Sequence, residues 1–216
     1  MVYYGSKKPP LGGRTEIDMK KRICSLVALF LLCALALTSF ASCGNSDPVY
    51  VRIDVKDYGV MVAELYPDVA PITVDNFVKL VKQGYYTDVI FHRVIENFMI
   101  QGGIGKTYAS TIKGEFAVNG VENNLSHTRG VLSMARTDYF NSASSQFFIC
   151  HVDCTGLDGN YAAFGKLLSG YEVLDAIAAV DTHTKYWQGA VMQNMPVVDV
   201  VISSIVLCDK NGTPLS

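Results

Sequence analysis

Short β-rich runs recur between residues 49 and 208, and they constrain the fold more than any other feature of the sequence. Each run has the length of one strand, and Gly, Asn, Asp or Ser separates it from the next. The runs are VYVRIDV (49–55), VMVAELY (60–66), VIFHRVI (89–95), FMIQGG (98–103), GVLSMAR (130–136), SQFFICHV (145–152), AAFGKLL (162–168) and VVDVVISSIVLC (197–208). Because strands and helices do not alternate, the pattern predicts a closed antiparallel barrel rather than a parallel sheet.

Only two segments follow the three-four spacing of an amphipathic helix. In residues 70–86, Pro71 suits the first helical turn, and Gly84 suits the C-terminal end. The second segment covers residues 171–180. We predict that these helices cover the barrel ends, that residues 49–66 form a hairpin, and that Trp187 lies in a loop before the closing strand.

The N-terminal part of the chain has the composition of a targeting signal. Basic residues 20–22 follow Met19, residues 23–40 are apolar, and small residues precede Cys43. This order resembles the signal of bacterial lipoproteins, which implies lipidation of Cys43. An uncleaved membrane anchor is the alternative, because residues 23–40 approach the length that spans a bilayer. Both interpretations place the rest of the chain outside the cytoplasm, attached to a membrane.

We therefore divide the chain into five parts. Residues 1–18 are predicted to be a misassigned N-terminal extension, with Met19 as the initiator. The other parts are a lipoprotein-type signal peptide, a polar tether, the folded domain and a C-terminal tail. Their boundaries are 19–42, 43–48, 49–208 and 209–216.

Charge and cysteine content exclude several classes of protein. Residues 43–216 carry 12 Lys or Arg against 18 Asp or Glu, a formal charge of −6, which disfavours nucleic-acid binding. Cys150, Cys154 and Cys208 are the cysteines of the domain, and their spacing does not match a zinc site. We expect buried free thiols, with one disulfide among the three as the open alternative.

Four longer motifs, in order, resemble the cyclophilin family of peptidyl-prolyl cis-trans isomerases. They are FHRVIENFMIQGG (91–103), HTRGVLSMAR (127–136), NSASSQFFIC (141–150) and LDGNYAAFGKLLSGYEVLD (157–175). The resemblance covers about residues 49–208. It implies a mainly β fold, namely an eight-stranded closed barrel capped by two helices, with a proline-binding pocket on its outer face.

The resemblance also implies the site residues. Arg93 matches the catalytic arginine of the family. The positions that match substrate-binding residues are Phe98, Met99, Gln101, Ala135, Arg136, Gln146, Phe148, Leu157 and Tyr161. Composition alone would favour a core role for the apolar members of this set.

An arginine at position 93 suits this chemistry. Resonance opposes rotation about the peptide C–N bond with a barrier of roughly 18–20 kcal/mol. The twisted amide has a nitrogen lone pair that accepts a hydrogen bond, and a guanidinium stays charged and offers several donors. A bond that strengthens in the transition state lowers the barrier.

Some positions depart from the family pattern. Gly156 stands where many members have tryptophan, which implies weakened cyclosporin binding, and Tyr161 stands where histidine is common. Arg136 replaces an asparagine, and because that position is thought to act through its backbone, we expect a modest change. The segment at 104–110 differs from the usual glycine-rich loop and is expected to alter peptide preference.

Other motifs carry simpler interpretations. Strand alternation predicts that His92 points to the opposite side from Arg93 and is a buried, hydrogen-bonded residue rather than a general base. We expect no metal-ligand role for His127, His151 or His183. GGIGKT (102–107) is not a phosphate-binding loop, because the pattern requires glycine where Ile100 stands.

The sequence thus predicts an isomerase that accelerates X-Pro isomerisation during folding of extracytoplasmic proteins. Its substrates would be proline-containing polypeptides, and it would be a monomer without cofactor, metal or nucleic-acid partner. One alternative is a prolyl-peptide binding module that has lost turnover through Gly156 and the 104–110 segment. Another is a surface lipoprotein whose barrel serves adhesion or assembly.

Overall fold

The computed structural model describes Gly5 and residues 48–215 of the chain. The predicted extension, signal peptide and lipidated Cys43, and most of the tether, lie outside the described residues. Within the described part, no helix is both long and apolar enough to cross a membrane.

Eight strands close into an antiparallel barrel. The strands among residues 48–215 are β1 (Val49–Val55), β2 (Gly59–Leu65), β3 (Val89–Ile95), β4 (Met99–Gly102), β5 (Val131–Met134), β6 (Phe147–Cys150), β7 (Ala163–Ser169), β8 (Thr182–Trp187), β9 (Ala190–Pro196) and β10 (Val201–Cys208). Their order around the barrel is β1-β10-β3-β4-β6-β5-β7-β2, while β8 and β9 form a separate two-stranded sheet. The predicted eight-stranded barrel and the β1–β2 hairpin are confirmed.

Two helices accompany the barrel, as predicted: α1 (Pro71–Lys82) and α2 (Tyr171–Ala178). Ala70, at the N-cap of α1, provides no side-chain hydrogen bond. Instead, the carboxylate of the distant Glu115 accepts hydrogen bonds from the backbone N–H groups of Ile72 (3.0 Å) and Thr73 (2.8 Å). Glu115 therefore satisfies two of the amides that a helix N-terminus leaves unpaired.

The interior of the barrel is filled by aromatic and aliphatic side chains. Phe77 of α1 packs against Phe147 edge to face, with ring centroids 5.4 Å apart, and against Phe164 at 5.1 Å. Phe91 and Tyr86 complete this aromatic group, and all five rings are almost fully buried. Because each buried ring removes a large apolar surface from water, this interior is the main source of stability.

The segment before the closing strand differs from the predicted loop. Residues 182–196 form the β8–β9 hairpin, in which Trp187 pairs with Ala190. Gln188 and Gly189 connect the strands with positive φ values of 47° and 85°, as a type I′ turn requires. The prediction was wrong because glutamine is an unusual first residue for this turn and the strands are rich in polar residues. The closing strand also begins later than predicted, at Val201.

The domain cysteines and the tail have simple structures. Cys150, Cys154 and Cys208 are buried free thiols, so the predicted state is the one observed. Burial raises the pKa of each of them. The tail turns back on β10, and the Leu215 amide donates a 2.9 Å hydrogen bond to the Leu207 carbonyl.

Candidate active site

A cavity of about 120 Å³ opens on the outer wall of the barrel. Nine of the ten residues predicted for the site line it: Arg93, Phe98, Met99, Gln101, Ala135, Arg136, Phe148, Leu157 and Tyr161. The tenth, Gln146, lines an adjoining cavity. The structure thus assembles the predicted set from several strands and loops, while the role of each residue remains a prediction.

Arg93 reaches this cavity because a β-bulge changes the alternation of β3. Phe91 pairs with Gly102 and Arg93 with Gln101, so His92 is the extra residue. Phe91 and Val94 both point into the interior core. The bulge leaves Arg93 half-buried on the outer wall.

Two glutamines hold the guanidinium. Nη1 of Arg93 donates to Oε1 of Gln101 at 3.4 Å and lies 4.0 Å from Sδ of Met99. Nε2 of Gln101 in turn donates to Oε1 of Gln146 at 3.1 Å. This chain of amides orients the cation, and no acceptor among residues 48–215 occupies its other N–H groups, which can bind a ligand.

The opposite part of the cavity is apolar. Met99 and Phe148 belong to a small cluster of buried side chains outside the main core, with Phe98, Leu157 and Tyr161 packed against it. The ring of Phe148 meets Tyr161 edge to face, with centroids 5.9 Å apart. The cavity therefore combines one fixed cation with an apolar surface suited to a small ring.

A buried polar network supports Phe148 from behind, and sequence reasoning missed it. His127 stacks on Phe148 with centroids 6.0 Å apart. Its Nδ1 lies 2.8 Å from Asp158 Oδ1, and its Nε2 lies 2.9 Å from Ser133 Oγ. Burial lowers the pKa of His127, although the bond to Asp158 acts in the opposite direction. The spacing of these three residues in the sequence contains no signal for this arrangement.

The network has the atom order of a serine hydrolase triad, but it cannot act as one. Ser133 is 0% and His127 1% exposed, so no substrate can reach the hydroxyl. A nucleophile must contact the reacting carbon of its substrate. We interpret Ser133, His127 and Asp158 as a support that fixes the floor of the cavity.

The prediction for His92 was partly wrong. It is buried as expected, but the bulge places it outside the core, where its ring stacks on Trp187 with centroids 5.9 Å apart. Nδ1 of His92 has no hydrogen-bond partner among residues 48–215. Burial, together with the charge of Arg93, lowers the pKa of His92 to about 4. Strict alternation failed here because it assumes a regular strand.

Arg136 lines the cavity, and its side chain is held among aromatic rings, while the modest change expected at this position stays a prediction. Its Cζ lies 4.7 Å from the ring centroid of Tyr161 and 5.0 Å and 5.3 Å from those of Phe116 and Phe140. Nε donates to the Asn160 carbonyl at 3.0 Å. Contacts of this kind hold a guanidinium in place.

The remaining departures do not line the cavity. Gly156 precedes Leu157, and an added Cβ there would meet no atom within 4 Å. Residues 104–110 are absent from the linings of both cavities. Their effect on peptide preference stays a prediction.

His151 lies in a surface network. Its Nδ1 accepts a hydrogen bond from the Asn97 amide at 3.0 Å, and its Nε2 lies 3.1 Å from Asp175 Oδ1. Across residues 48–215, no three His, Cys, Asp or Glu side chains are grouped as metal ligands would be.

Comparison with known proteins agrees with this fold and cavity. The model of the cyclophilin type peptidyl-prolyl cis-trans isomerase family matches residues 50–206. A peptidyl-prolyl cis-trans isomerase of Acinetobacter baylyi is 38% identical over 200 residues, covering 87% of this chain and 98% of the relative. Peptidyl-prolyl cis-trans isomerase B of Escherichia coli is 37% identical, covering 71% of this chain and 96% of the relative.

A solved structure gives the same result. The crystal structure of a cyclophilin type isomerase from Cryptosporidium parvum superposes with a TM-score of 0.65 at 31% identity, covering 76% of this chain and 99% of that one. The fold and the cavity define a barrel enzyme with a cationic, apolar cleft on its wall. This chain belongs to the cyclophilin family of peptidyl-prolyl cis-trans isomerases.

Proposed function

We propose that this isomerase accelerates X-Pro isomerisation during folding of extracytoplasmic proteins, that Arg93 is its catalytic residue, and that the N-terminal segment attaches it to a membrane. The observation that carries the catalytic part is the position of Arg93. Its guanidinium, held by Gln101, faces an apolar surface across one cavity of about 120 Å³.

The cavity separates two tasks. Phe98, Met99, Phe148 and Leu157 would hold the pyrrolidine ring of the client, since they supply the apolar surface that a proline buries. With the ring held, the carbonyl of the preceding residue is the part that rotates. Uncatalysed, this rotation takes tens of seconds to minutes.

Arg93 would lower the barrier by binding the prolyl nitrogen. In the planar amide that nitrogen shares its lone pair with the carbonyl and is a poor acceptor. As the bond twists, the lone pair returns to nitrogen, and a hydrogen bond from the guanidinium strengthens. This is differential binding of the transition state, which requires no nucleophile and no proton transfer.

The pre-set position of the guanidinium supports this assignment. Arg93 is half-buried, so its charge is screened less than that of an exposed arginine. Its bond to Gln101 fixes the side chain before a client arrives, which reduces the reorganisation needed in the transition state.

The proposed location rests on the sequence. Basic residues 20–22, the apolar run 23–40 and the small residues before Cys43 are in the order of a lipoprotein signal. The composition of residues 44–48 is typical of a tether between an anchor and a domain that reaches clients near the membrane.

The location is tested by labelling the full-length chain with a radioactive fatty acid in a bacterial host. We expect label and membrane association in the parent and in Cys33→Ser, and loss of label in Cys43→Ser. External protease should digest the domain in cells whose outer barrier has been opened. An unlabelled parent that still sediments with membranes would favour the uncleaved anchor, and a protease-resistant domain in such cells would contradict the extracytoplasmic location.

The folding role is tested with a secreted protein whose refolding is limited by proline isomerisation. The full-length chain in mild detergent should accelerate the slow phase, and Arg93→Ala should not. Acceleration by both proteins would contradict the role assigned to Arg93.

A further inference from the structure

A second cavity adjoins the first, and most of the residues that line it are polar. It measures about 170 Å³ and is lined by Gln101, Ala135, Arg136, Thr137, Ser142, Ser144 and Gln146. Gln101, Ala135 and Arg136 line both cavities, so a polypeptide bound in one can continue directly into the other. Among the described residues, Arg136 is the one charged residue that lines the second cavity.

Arg136 lies between the two cavities, since it lines both of them, and its guanidinium is held in place. Three aromatic rings surround it, those of Phe116, Phe140 and Tyr161. Its Nε donates to the Asn160 carbonyl at 3.0 Å, and its Nη1 donates to the Thr137 carbonyl at 2.8 Å. These contacts fix the plane of the guanidinium without neutralising its charge.

Part of the guanidinium remains available to a ligand. A guanidinium has five N–H donors, and the two hydrogen bonds to carbonyls occupy two of them. Among residues 48–215, no Asp or Glu forms an ion pair with Arg136, and no carboxylate lines either cavity. Rings above and beside the cation also reduce its hydration, which strengthens its attraction for an anion.

The nearby hydroxyl groups are less free. Thr137 donates its hydroxyl proton to Ser142 Oγ at 2.8 Å, and Ser142 donates its own to the Tyr139 carbonyl at 2.6 Å. Because both hydroxyl groups already donate hydrogen bonds within the protein, Arg136 is the strongest donor in the wall of the second cavity. Carboxylates pair with arginine better than any neutral acceptor does, because the two planar groups match and carry opposite charge.

We propose that Arg136 makes the second cavity a subsite for an acidic side chain, so that this isomerase prefers clients with Asp or Glu a short distance from the proline. The inference deepens the isomerase activity and rests on the proposed binding of proline in the first cavity. It requires that a local cation overcome the charge of a domain that is acidic overall, with a formal −6 over residues 43–216. The preference must therefore depend on the position of the acidic residue.

The test compares peptide pairs that differ only by Glu against Gln, with the exchange placed in turn at each position within three residues of one proline. Isomerisation catalysed by the full-length chain in mild detergent is measured by exchange NMR at low peptide concentration. We expect roughly fivefold faster catalysis of the Glu peptide at one or two positions, as a partly exposed charged hydrogen bond would give. The advantage should shrink as salt is added.

Variants assign the effect to one side chain. In Arg136→Gln the Glu-to-Gln rate ratio should fall to about one, and Arg136→Lys should keep part of it, because lysine retains the charge but not the fork. Lys82→Gln is the matched control, since it removes one positive charge from an exposed position on α1. Its ratio should equal that of the parent.

Three results would overturn the inference. These are equal rates for Glu and Gln peptides at every position, a preference that is the same at all positions, and a ratio that survives in Arg136→Gln. Each of these results is interpretable only when catalysis of the Gln peptides is measurable, so each can be distinguished from failure of the proposed isomerase function. If the isomerase function itself failed, neither the Glu peptide nor the Gln peptide of any pair would be accelerated.

Discussion

The interior of the barrel and its outer wall beneath the cavity are both buried, yet they are built differently. The interior is apolar and aromatic, with Phe77, Phe147 and Phe164 in mutual contact. The cluster beneath the cavity is small, and its principal ring, Phe148, rests on the polar network of His127, Asp158 and Ser133.

The difference shows how one barrel supports two requirements. An apolar interior gains stability from burial and tolerates some repacking, because the hydrophobic effect has no direction. Hydrogen bonds have direction, so a satisfied polar network fixes the position of the ring that it supports. We infer that the interior determines whether the chain folds and that the outer cluster determines where a client's proline lies.

Truncating one ring in each region gives the largest expected effects. Phe164→Ala should lower the free energy of unfolding by about 4 kcal/mol, because it leaves a cavity in the interior. Phe148→Ala should lower stability less and reduce catalysis more. Urea denaturation followed by Trp187 fluorescence, together with exchange NMR, separates the two quantities. If Phe164→Ala and Phe148→Ala lost the same stability and had the same catalytic rate per folded molecule, the two regions would not differ in role.

The pH dependence of stability should report on His92, the buried histidine that stacks on Trp187. Its folded pKa is about 4, below the value of 6.5 for a free histidine. The unfolded chain therefore binds more protons between these values, so His92 contributes stability above pH 6.5 that is lost as the pH falls towards 4. From about pH 7.5 to pH 5 the parent should lose about 2 kcal/mol that His92→Gln does not lose.

The control compares the parent and His92→Gln between about pH 7.5 and pH 8.5. Histidine is neutral there in both the folded and the unfolded chain, so the free energy of unfolding should change with pH equally in the two proteins. Quenching of Trp187 fluorescence in the folded parent should have its midpoint near the same low pKa, since the two rings are stacked. Identical pH dependence of the two proteins would contradict the assignment.

Disconnecting the polar network should have a smaller effect. Ser133→Ala removes the hydroxyl that meets Nε2 of His127 and leaves that buried nitrogen without its partner. We expect a loss of about 1–2 kcal/mol in unfolding free energy, with catalysis reduced several-fold because Phe148 is held less firmly. Ser169→Ala, at an exposed position of β7, is a control that should leave stability within about 0.5 kcal/mol. Unchanged catalysis in Ser133→Ala would show that the network has no part in positioning the ring.

Enlarging the side chain at Gly156, which precedes the lining residue Leu157, should change stability least. Gly156 is exposed and an added Cβ meets nothing, so Gly156→Trp should alter the free energy of unfolding by about 0.5 kcal/mol or less. The added ring should strengthen cyclosporin binding, which titration calorimetry measures. No gain in affinity would mean that the tryptophan does not reach the cavity.

Sequence reasoning recovered the barrel and both helices because each depends on regular features, whereas the residues of the cavity lining followed from the resemblance to the cyclophilin family. Strand runs and turn residues set the barrel, and four motifs marked the wall that carries Arg93. It missed the β8–β9 hairpin, whose strands are polar, and the bulge at His92, which breaks the alternation.

The supporting network was also missed, for a different reason. Ser133, His127 and Asp158 meet only after β5, a loop and the segment beyond β6 are packed together. Likewise, the rings around Arg136 come from residues 116, 140 and 161, which share no sequence pattern. Contacts of this kind depend on the completed fold rather than on local periodicity.

The central claim is that Arg93 catalyses the rotation while the fold exists independently of it. Exchange NMR of a short X-Pro peptide should compare the full-length chain with Arg93→Ala and Arg93→Lys, each in the same detergent and each checked by urea denaturation. The account predicts a fall of about 100-fold or more for Arg93→Ala, as for removal of one transition-state donor, with unfolding free energy within about 0.5 kcal/mol of the parent. Arg93→Lys should recover only a small part. Catalysis that persists in Arg93→Ala, or that falls only in proportion to lost folded protein, would contradict it.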